Sequence, residues 1–262
     1  MDHPFKKILL ATEHTEFDAG SERVALEMAK RCGLPLAVVV PVLTNPEFEI
    51  QAHRLVDRME HEIAARIDDL REVAKGMGVT IHVQARRGES PADEIIREAE
   101  AIGADLVVIR RRGTRSFLAK LLLGEMVSQV VGASPCSVLM VPRAAHMWSR
   151  GILAAVGGED DRVAAVAAAV ASQCGLPLHV LSVAQSEGSR HEAEMIVSRN
   201  AGIAAGLGAE VHGTVRIGRP CDEILAVPEA DLVVVGMGNV RPGGTTRNVV
   251  EQSEKPVLAV HG

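Results

Sequence analysis

The chain has 262 residues, of which 47% are hydrophobic and 24% charged, with a formal net charge of -6. That length suits two domains of about 130 residues, and the acidic balance excludes a general polyanion-binding role, because non-specific nucleic-acid affinity comes from neutralising phosphates. Four Phe, one Trp and no Tyr exclude a single-strand binder, a sugar-stacking cleft and an aromatic cage, all of which need ring faces. The core is left to Ala, Val, Leu and Ile.

In chain order, Ile8 to Ala11 forms a short strand and Glu22 to Arg31 an amphipathic helix that stops at Gly33. Leu36 to Val42 is a second strand, followed by a charged helix from His53 to Lys75 closed by Gly76 and Gly78. Val79 to Ala85 is a third strand, and Ser90-Pro91 opens a helix over Ala92 to Ala101. Leu106 to Ile109, a helix over Leu118 to Val131, and Val138 to Val141 complete a β-α-β-α-β-α-β-α-β series, the signature of a doubly wound parallel sheet. No apolar run is long enough to cross a membrane, the start of the chain has no signal-peptide layout, and the four cysteines form no CxxC pair. A reducing cytoplasm is the expected location.

The second half repeats the first. Cys174-Gly175-Leu176-Pro177-Leu178 copies Cys32-Gly33-Leu34-Pro35-Leu36, and Ala230-Asp231-Leu232-Val233-Val234 copies Ala104-Asp105-Leu106-Val107-Val108. Ile152 to Val156 answers Ile8 to Thr12, and Pro256 to Val260 answers Ser137 to Val141. The offset between the copies shrinks along the chain, so the second copy has lost residues, chiefly in its second helix and in the loop after its fourth strand. The expected organisation is a tandem duplication, with domains at 1–143 and 151–262. Trp148 falls in the linker between them, as a reporter of the junction. Cys32 and Cys174 hold equivalent positions, which argues for packing rather than reactivity.

Ligands of open parallel sheets bind at the carboxyl ends of the strands, where strand order reverses. The informative loops follow strands one and four. In the second half they carry Gly157 after the first strand, then Gly236, Gly238, Gly243, Gly244, Thr245 and Thr246. Glycines let backbone N–H groups converge on an anion, a helix starting near Thr245 adds its positive end, and the threonines add hydroxyls. A tight turn in a shortened connection explains the same residues equally well. In the first half the loops carry Thr12, Glu13 and His14, then Arg110, Arg111, Arg112, Gly113, Arg115 and Gly124. Arginine forks suit phosphate and carboxylate, although a solvated charged loop, paired with acids of the other half, is the favoured explanation.

The repeated unit resembles the universal stress protein domain. The markers are the opening strand, the Gly88-x-x-Pro91-x-Asp93-Glu94-Ile95 segment, Gly103 to Val108, Arg112-Gly113 before Phe117 to Gly124, and their partial echoes Gly218-x-Pro220, Ala230 to Gly236 and Pro256 to Val260. The resemblance implies two flavodoxin-like domains, each a five-stranded parallel sheet in the order 3-2-1-4-5 flanked by helices and paired through the last strands. An internal pseudo-dimer would then remove an exposed apolar edge. The resemblance also implies an adenine nucleotide (ATP, ADP or AMP), with Mg²⁺ as companion, held by an Asp after strand one and a Gly-x-x-Gly-(nine residues)-Gly-Ser/Thr loop after strand four.

Both halves depart from that motif. In the first, Glu13 stands at the Asp position and Arg110 at the first glycine; ten residues separate Gly113 from Gly124, and Glu125 follows. In the second, Gly157 stands at the Asp position, the span from Gly236 to Gly243 is short, and Gly244 sits where Ser or Thr is expected. The sequence therefore points to a cytoplasmic stress-response regulator without catalytic residues, binding its nucleotide mainly in the second half. A protein-interaction adaptor that binds no nucleotide is the alternative, and a weak ATPase is third. A homodimer and a protein partner are compatible with each; nucleic acid, membrane and a bound metal are not expected.

Overall fold

A computed structural model of the chain describes residues 4–43, 53–111, 126–158, 160–238 and 244–262, with backbone alone over 53–60. The first half runs β1 (Ile8–Ala11), α1 (Ala19–Cys32), β2 (Leu36–Leu43), α2 (His53–Met77), β3 (Ile81–Gly88), α3 (Pro91–Ile102), β4 (Leu106–Arg111), a helix α4 described over 126–133, and β5 (Ser137–Pro142). The second half repeats this as β6 (Ile152–Ala155), α5 (Arg162–Cys174), β7 (Leu178–Ala184), α6 (Arg190–Gly206), β8 (Val211–Ile217), α7 (Pro220–Leu225), β9 (Leu232–Gly236), α8 (Thr245–Gln252) and β10 (Val257–Val260).

All ten strands form one sheet in the order β3-β2-β1-β4-β5-β10-β9-β6-β7-β8. Each half is parallel in the order 3-2-1-4-5, and the halves meet where β5 and β10 pair antiparallel, with Leu139 opposite Leu258. That pairing supplies the ladder hydrogen bonds that two separate apolar edges would leave open. The pseudo-dimer expected from sequence is therefore a continuous sheet.

Two apolar layers cover the sheet, and each runs through both halves. One joins α1, α2, α5 and α6 over Ile8, Leu10, Val108, Ile152 and Leu258. The other joins α3, α4, α7 and α8 over Leu9, Val107, Val138, Leu153 and Val233. Consecutive strand residues alternate between layers, as the two-residue pleat requires. The helices of the first layer are alanine-rich, so α5 lies close on the sheet with Ala164, Ala167, Ala168 and Ala171 fully buried.

The repeated motifs have local causes. Asp105 accepts from the backbone N–H groups of Lys6 and Lys7 at 2.7 and 3.0 Å, and Asp231 accepts from Ser149 and Arg150. Each Asp thus ties the entrance of its half's first strand to the start of the fourth. Gly33 and Gly175 end α1 and α5 at φ 62° and 64°, a left-handed cap that costs glycine nothing. Ser90 caps α3 by accepting from Asp93 N at 3.3 Å, with Pro91 following. The second copy is shortened where expected: α6 has 17 residues where α2 has 25.

Two sequence expectations change. Helix α1 begins at Ala19, three residues before the apolar stripe at Glu22, because Gly20 lets the first turn lie against the exit of β5; a Cβ there would stand 2.0 Å from the Pro142 carbonyl oxygen. Strand β3 spans Ile81–Gly88 rather than starting at Val79. Trp148, in the segment between β5 and β6, is 3% exposed, sits in the first core layer, and its Nε1 donates to Cys174 Sγ at 3.2 Å. The expected helix start at Leu118 and residues Gly113 and Gly124 lie outside the described residues.

Candidate functional site

The two halves place equivalent loops at the carboxyl ends of β1/β4 and β6/β9, the switch points of the sheet. Their contents differ. In the first half β4 runs one residue past Arg110, whose side chain turns back under the β1 loop. Arg110 Nη1 donates to Asp18 Oδ2 at 3.1 Å and to Thr15 Oγ1 at 3.3 Å, and Nη2 donates to Glu13 Oε2 at 3.3 Å. Asp18 is 1% exposed and also accepts from Thr15 N and Oγ1 at 2.9 and 2.6 Å. Beside it, Thr12 Oγ1 donates to Glu22 Oε1 at 2.6 Å, and His14, in the left-handed region at φ 50°, places Nδ1 2.9 Å from the same oxygen.

These contacts fill the space beside the end of β4, while a cavity of about 330 Å³ remains next to it over the ends of β1 and β2, lined by Glu13, Pro41, Leu43 and Arg66. The space among Thr12, Glu13, Asp18, Ile109 and Arg110 is about 20 Å³, room for little more than one water. Of the first-half residues singled out from sequence, Thr12, Glu13 and Arg110 are brought together, and they are engaged with one another. Arg110 is charge-paired, but with Asp18 and Glu13 of its own half rather than with acids of the other half. Arg111 points elsewhere: its Nη1 donates to the Val250 carbonyl at 2.7 Å, across the junction at the end of α8. Burial pushes the Arg111 guanidinium down from its ordinary value, opposed by the charge of Glu254.

The second half is open. A cavity of about 720 Å³ lies over the ends of β6, β7 and β9, well inside the range of small-molecule sites. Its apolar walls are Val156, Val163, Leu181, Ile196, Ile224 and Val235. Hydroxyls of Ser182, Ser186, Ser189, Thr245 and Thr246 line it, with Gln185 and the carboxylates of Asp160 and Glu192. Two positions differ between the halves at this point. Gly236 ends β9 where Arg110 stands in β4, and only Val163 Cγ2, at 3.4 Å, lies near the Cβ that Gly236 lacks. Gly157 likewise replaces Glu13, with nothing within 4 Å of its missing Cβ.

Gly157, Gly236, Gly238, Thr245 and Thr246 all line this cavity. Thr246 is partly structural, since its Oγ1 donates to the Gly236 carbonyl at 2.9 Å and pins α8 to the strand end. Gly238 sits at φ +36°, and Gly244 is the residue before α8, without a side-chain cap. Gly243 lies outside the described residues. The residues that sequence reasoning missed are Ser182 to Ala184 at the end of β7, Gln185, Ser186 and Ser189 after it, and Glu192 and Ile196 on α6. The available signal was the small, hydroxyl-rich stretch Ser182 to Ser189, next to the β6 turn in a 3-2-1-4-5 sheet. Among the described residues no cluster of three or more His, Cys, Asp or Glu is arranged for a metal ion, and no helix is long and apolar enough to span a membrane.

A sheet of this order with a crevice at its switch point defines a doubly wound α/β protein, with the crevice where such sheets place their ligands. A model of the universal stress protein family matches residues 4–142, more than half of the sequence, and the chain belongs to that family. It is similar in fold to a universal stress protein from Archaeoglobus fulgidus DSM 4304, at 22% identity over 97% of this chain and 98% of that one, with a TM-score of 0.79. A protein of the same description from Pseudomonas aeruginosa UCBPP-PA14 gives 22% identity, 98% and 93% coverage and a TM-score of 0.71. A functionally unknown protein from Pseudomonas aeruginosa PAO1 gives 21%, 98% and 92%, and 0.64. These likenesses extend over the second half, which the family model leaves unmatched. No curated protein matches the sequence.

Proposed function

We propose that the chain is a cytoplasmic stress-response regulator that binds one adenine nucleotide, in the cavity of its second half. The observation that carries this is the exchange of Arg110 for Gly236 at equivalent strand ends: about 20 Å³ is left beside the arginine, with a separate space of about 330 Å³ over β1 and β2, whereas the half with glycine holds one cavity of about 720 Å³. The donor set fits a nucleotide. The ends of β6 and β7 offer backbone groups and the Ser182, Ser186 and Ser189 hydroxyls to a base and sugar, and Thr245 with the first turn of α8 offers donors to an anion. Apolar walls replace the aromatic stacking that this sequence does not supply. Mg²⁺ would arrive with the nucleotide, neutralising its phosphates; Asp160 and Glu192 are the carboxylates on hand. The output is binding rather than turnover, because no base and nucleophile converge on the cavity among the described residues.

Mass spectrometry of ligand released from the denatured protein, with isothermal titration of the apo chain, tests this. AMP, ADP or ATP at one per chain is expected, and Gly236→Arg abolishes it by recreating the first half's plug. Clean apo protein with no heat on titration by millimolar ATP and Mg²⁺ overturns it, and leaves the adaptor alternative.

A further inference from the structure

Cys32 and Cys174 are equivalent in sequence, and the fold also brings their surroundings together. Each is the last residue of its half's first helix, Cys32 of α1 and Cys174 of α5, and each is followed by a left-handed glycine. The two helices belong to one apolar layer and flank the β5–β10 seam, α1 packing on β5 and α5 on β10. Gln173, the residue before Cys174, donates from Nε2 to Cys32 Sγ at 3.0 Å. Arg31, the residue before Cys32, reaches the Cys174 sulfur in return. This reciprocal pattern follows from the antiparallel pairing of two like halves, and it puts the two helix ends together across the junction.

The surroundings of the two sulfurs are those of usable thiols. Both are half-buried, whereas Cys136 and Cys221 are buried in the other layer, on the far face of the sheet. Cys174 accepts from Trp148 Nε1 at 3.2 Å, and with the Arg31 guanidinium beside it this favours the thiolate, the form that reacts. Burial pushes the Cys32 thiol up from its ordinary value; the Gln173 bond opposes that rise and the nearby Cys174 adds to it. The pair is therefore unequal, with Cys174 placed to react first and Cys32 to follow. Both lie at helix ends, where the last turn frays, so they can close on each other without disturbing the strands.

We propose that Cys32 and Cys174 form a disulfide between the halves when the chain meets hydrogen peroxide. Cys174 attacks one peroxide oxygen, the O–O bond breaks, and a water leaves, giving a sulfenic acid. Cys32 then attacks that sulfur, the S–S bond forms, the S–O bond breaks, and the second water leaves with the Cys32 proton. Two thiols and one peroxide become one disulfide and two waters; the sulfurs are oxidised and the peroxide oxygens reduced. Thiol reductants reverse it, as for other redox-sensing disulfides of reducing compartments. The step is independent of the nucleotide cavity.

The test exposes the full chain to excess hydrogen peroxide, blocks the remaining free thiols with iodoacetamide, and maps the tryptic peptides by mass spectrometry. The expected result is one peptide pair joining Cys32 to Cys174, without a covalent dimer, reversed by dithiothreitol, with Cys136 and Cys221 still free. Cys32→Ser should lose the cross-link and leave a sulfenic acid on Cys174 that dimedone traps; Cys174→Ser should lose both. The map of the unaltered chain decides the matter even where a variant folds poorly. Over-oxidation of Cys174 without a cross-link, a disulfide to a second chain, or two thiols that stay free in excess peroxide overturns the proposal. A sulfenic acid trapped on Cys32 in Cys174→Ser overturns the assigned order.

Discussion

Arg110 is the residue on which the difference between the halves turns, and its replacement by Met tests that directly. The side chain of Arg110 is buried, as is its partner Asp18, at 7% and 1% exposure. Removing one member of a buried ion pair costs about 3–5 kcal/mol, because the other charge is left in a poor solvent. Asp18 keeps its two bonds from Thr15, which places the cost at the low end, about 3 kcal/mol. Glu13 is far more exposed, so its pairing adds less than about 1 kcal/mol. With a urea dependence of about 3 kcal/mol per M for a chain of this size, the midpoint of urea unfolding followed by circular dichroism falls by about 1 M. Asp18→Asn in the same background recovers part of the loss, with a coupling of about 2 kcal/mol in the double-mutant cycle. A loss below about 1 kcal/mol, or two costs that simply add, would falsify the account of the first crevice as an ion-paired plug.

Gly20→Ala lowers stability by about 2 kcal/mol in the same assay, because overpacking against the Pro142 and Arg143 carbonyls outweighs the roughly 1 kcal/mol that alanine normally adds inside a helix; a stabilised variant would show that α1 does not lie this close. Trp148 emits at blue-shifted wavelength, is poorly quenched by iodide, and shifts red as the junction unfolds, since it is buried against Cys174; strong quenching in the native state contradicts its placement. Burial, and then the neighbouring His212, hold His179 below its ordinary value near 6.5. The unfolded chain therefore binds more protons just below that pH, so stability is full above about 6.5 and falls on acidification. His179→Gln should flatten this part of the melting-temperature profile, and an unchanged slope would rule the histidine out as its source.

Much of the fold was legible because it is written twice. The two Cys-Gly-Leu-Pro-Leu segments each mark a helix stop before a strand, and the two Ala-Asp-Leu-Val-Val segments each mark the fourth strand with its Asp staple. The antiparallel seam follows from two short apolar closing strands with nowhere else to pair. The early start of α1 was not legible, since Gly20 acts through a contact with Pro142, far away in sequence. The burial of Trp148 was not legible for the same reason: its partner Cys174, at the end of α5, is 26 residues further along the chain. In the site, the glycines after β6 and β9 could be read from the family loop, but the hydroxyls after β7 carry no motif. The role of Arg110 was half legible. Its position in the loop was clear, but that it folds inward onto Asp18 depends on an N-cap residue that no spacing rule connects to it.

The central claim is that the space beside the fourth-strand end is filled by paired side chains in the first half and open to a ligand in the second. Calorimetric titration with ATP and Mg²⁺ measures this most directly, through the number of sites per chain in the unaltered protein and in Gly236→Arg. The account predicts one site, reduced to none by the substitution. Two sites in the unaltered chain, or one site that survives in Gly236→Arg, would contradict it.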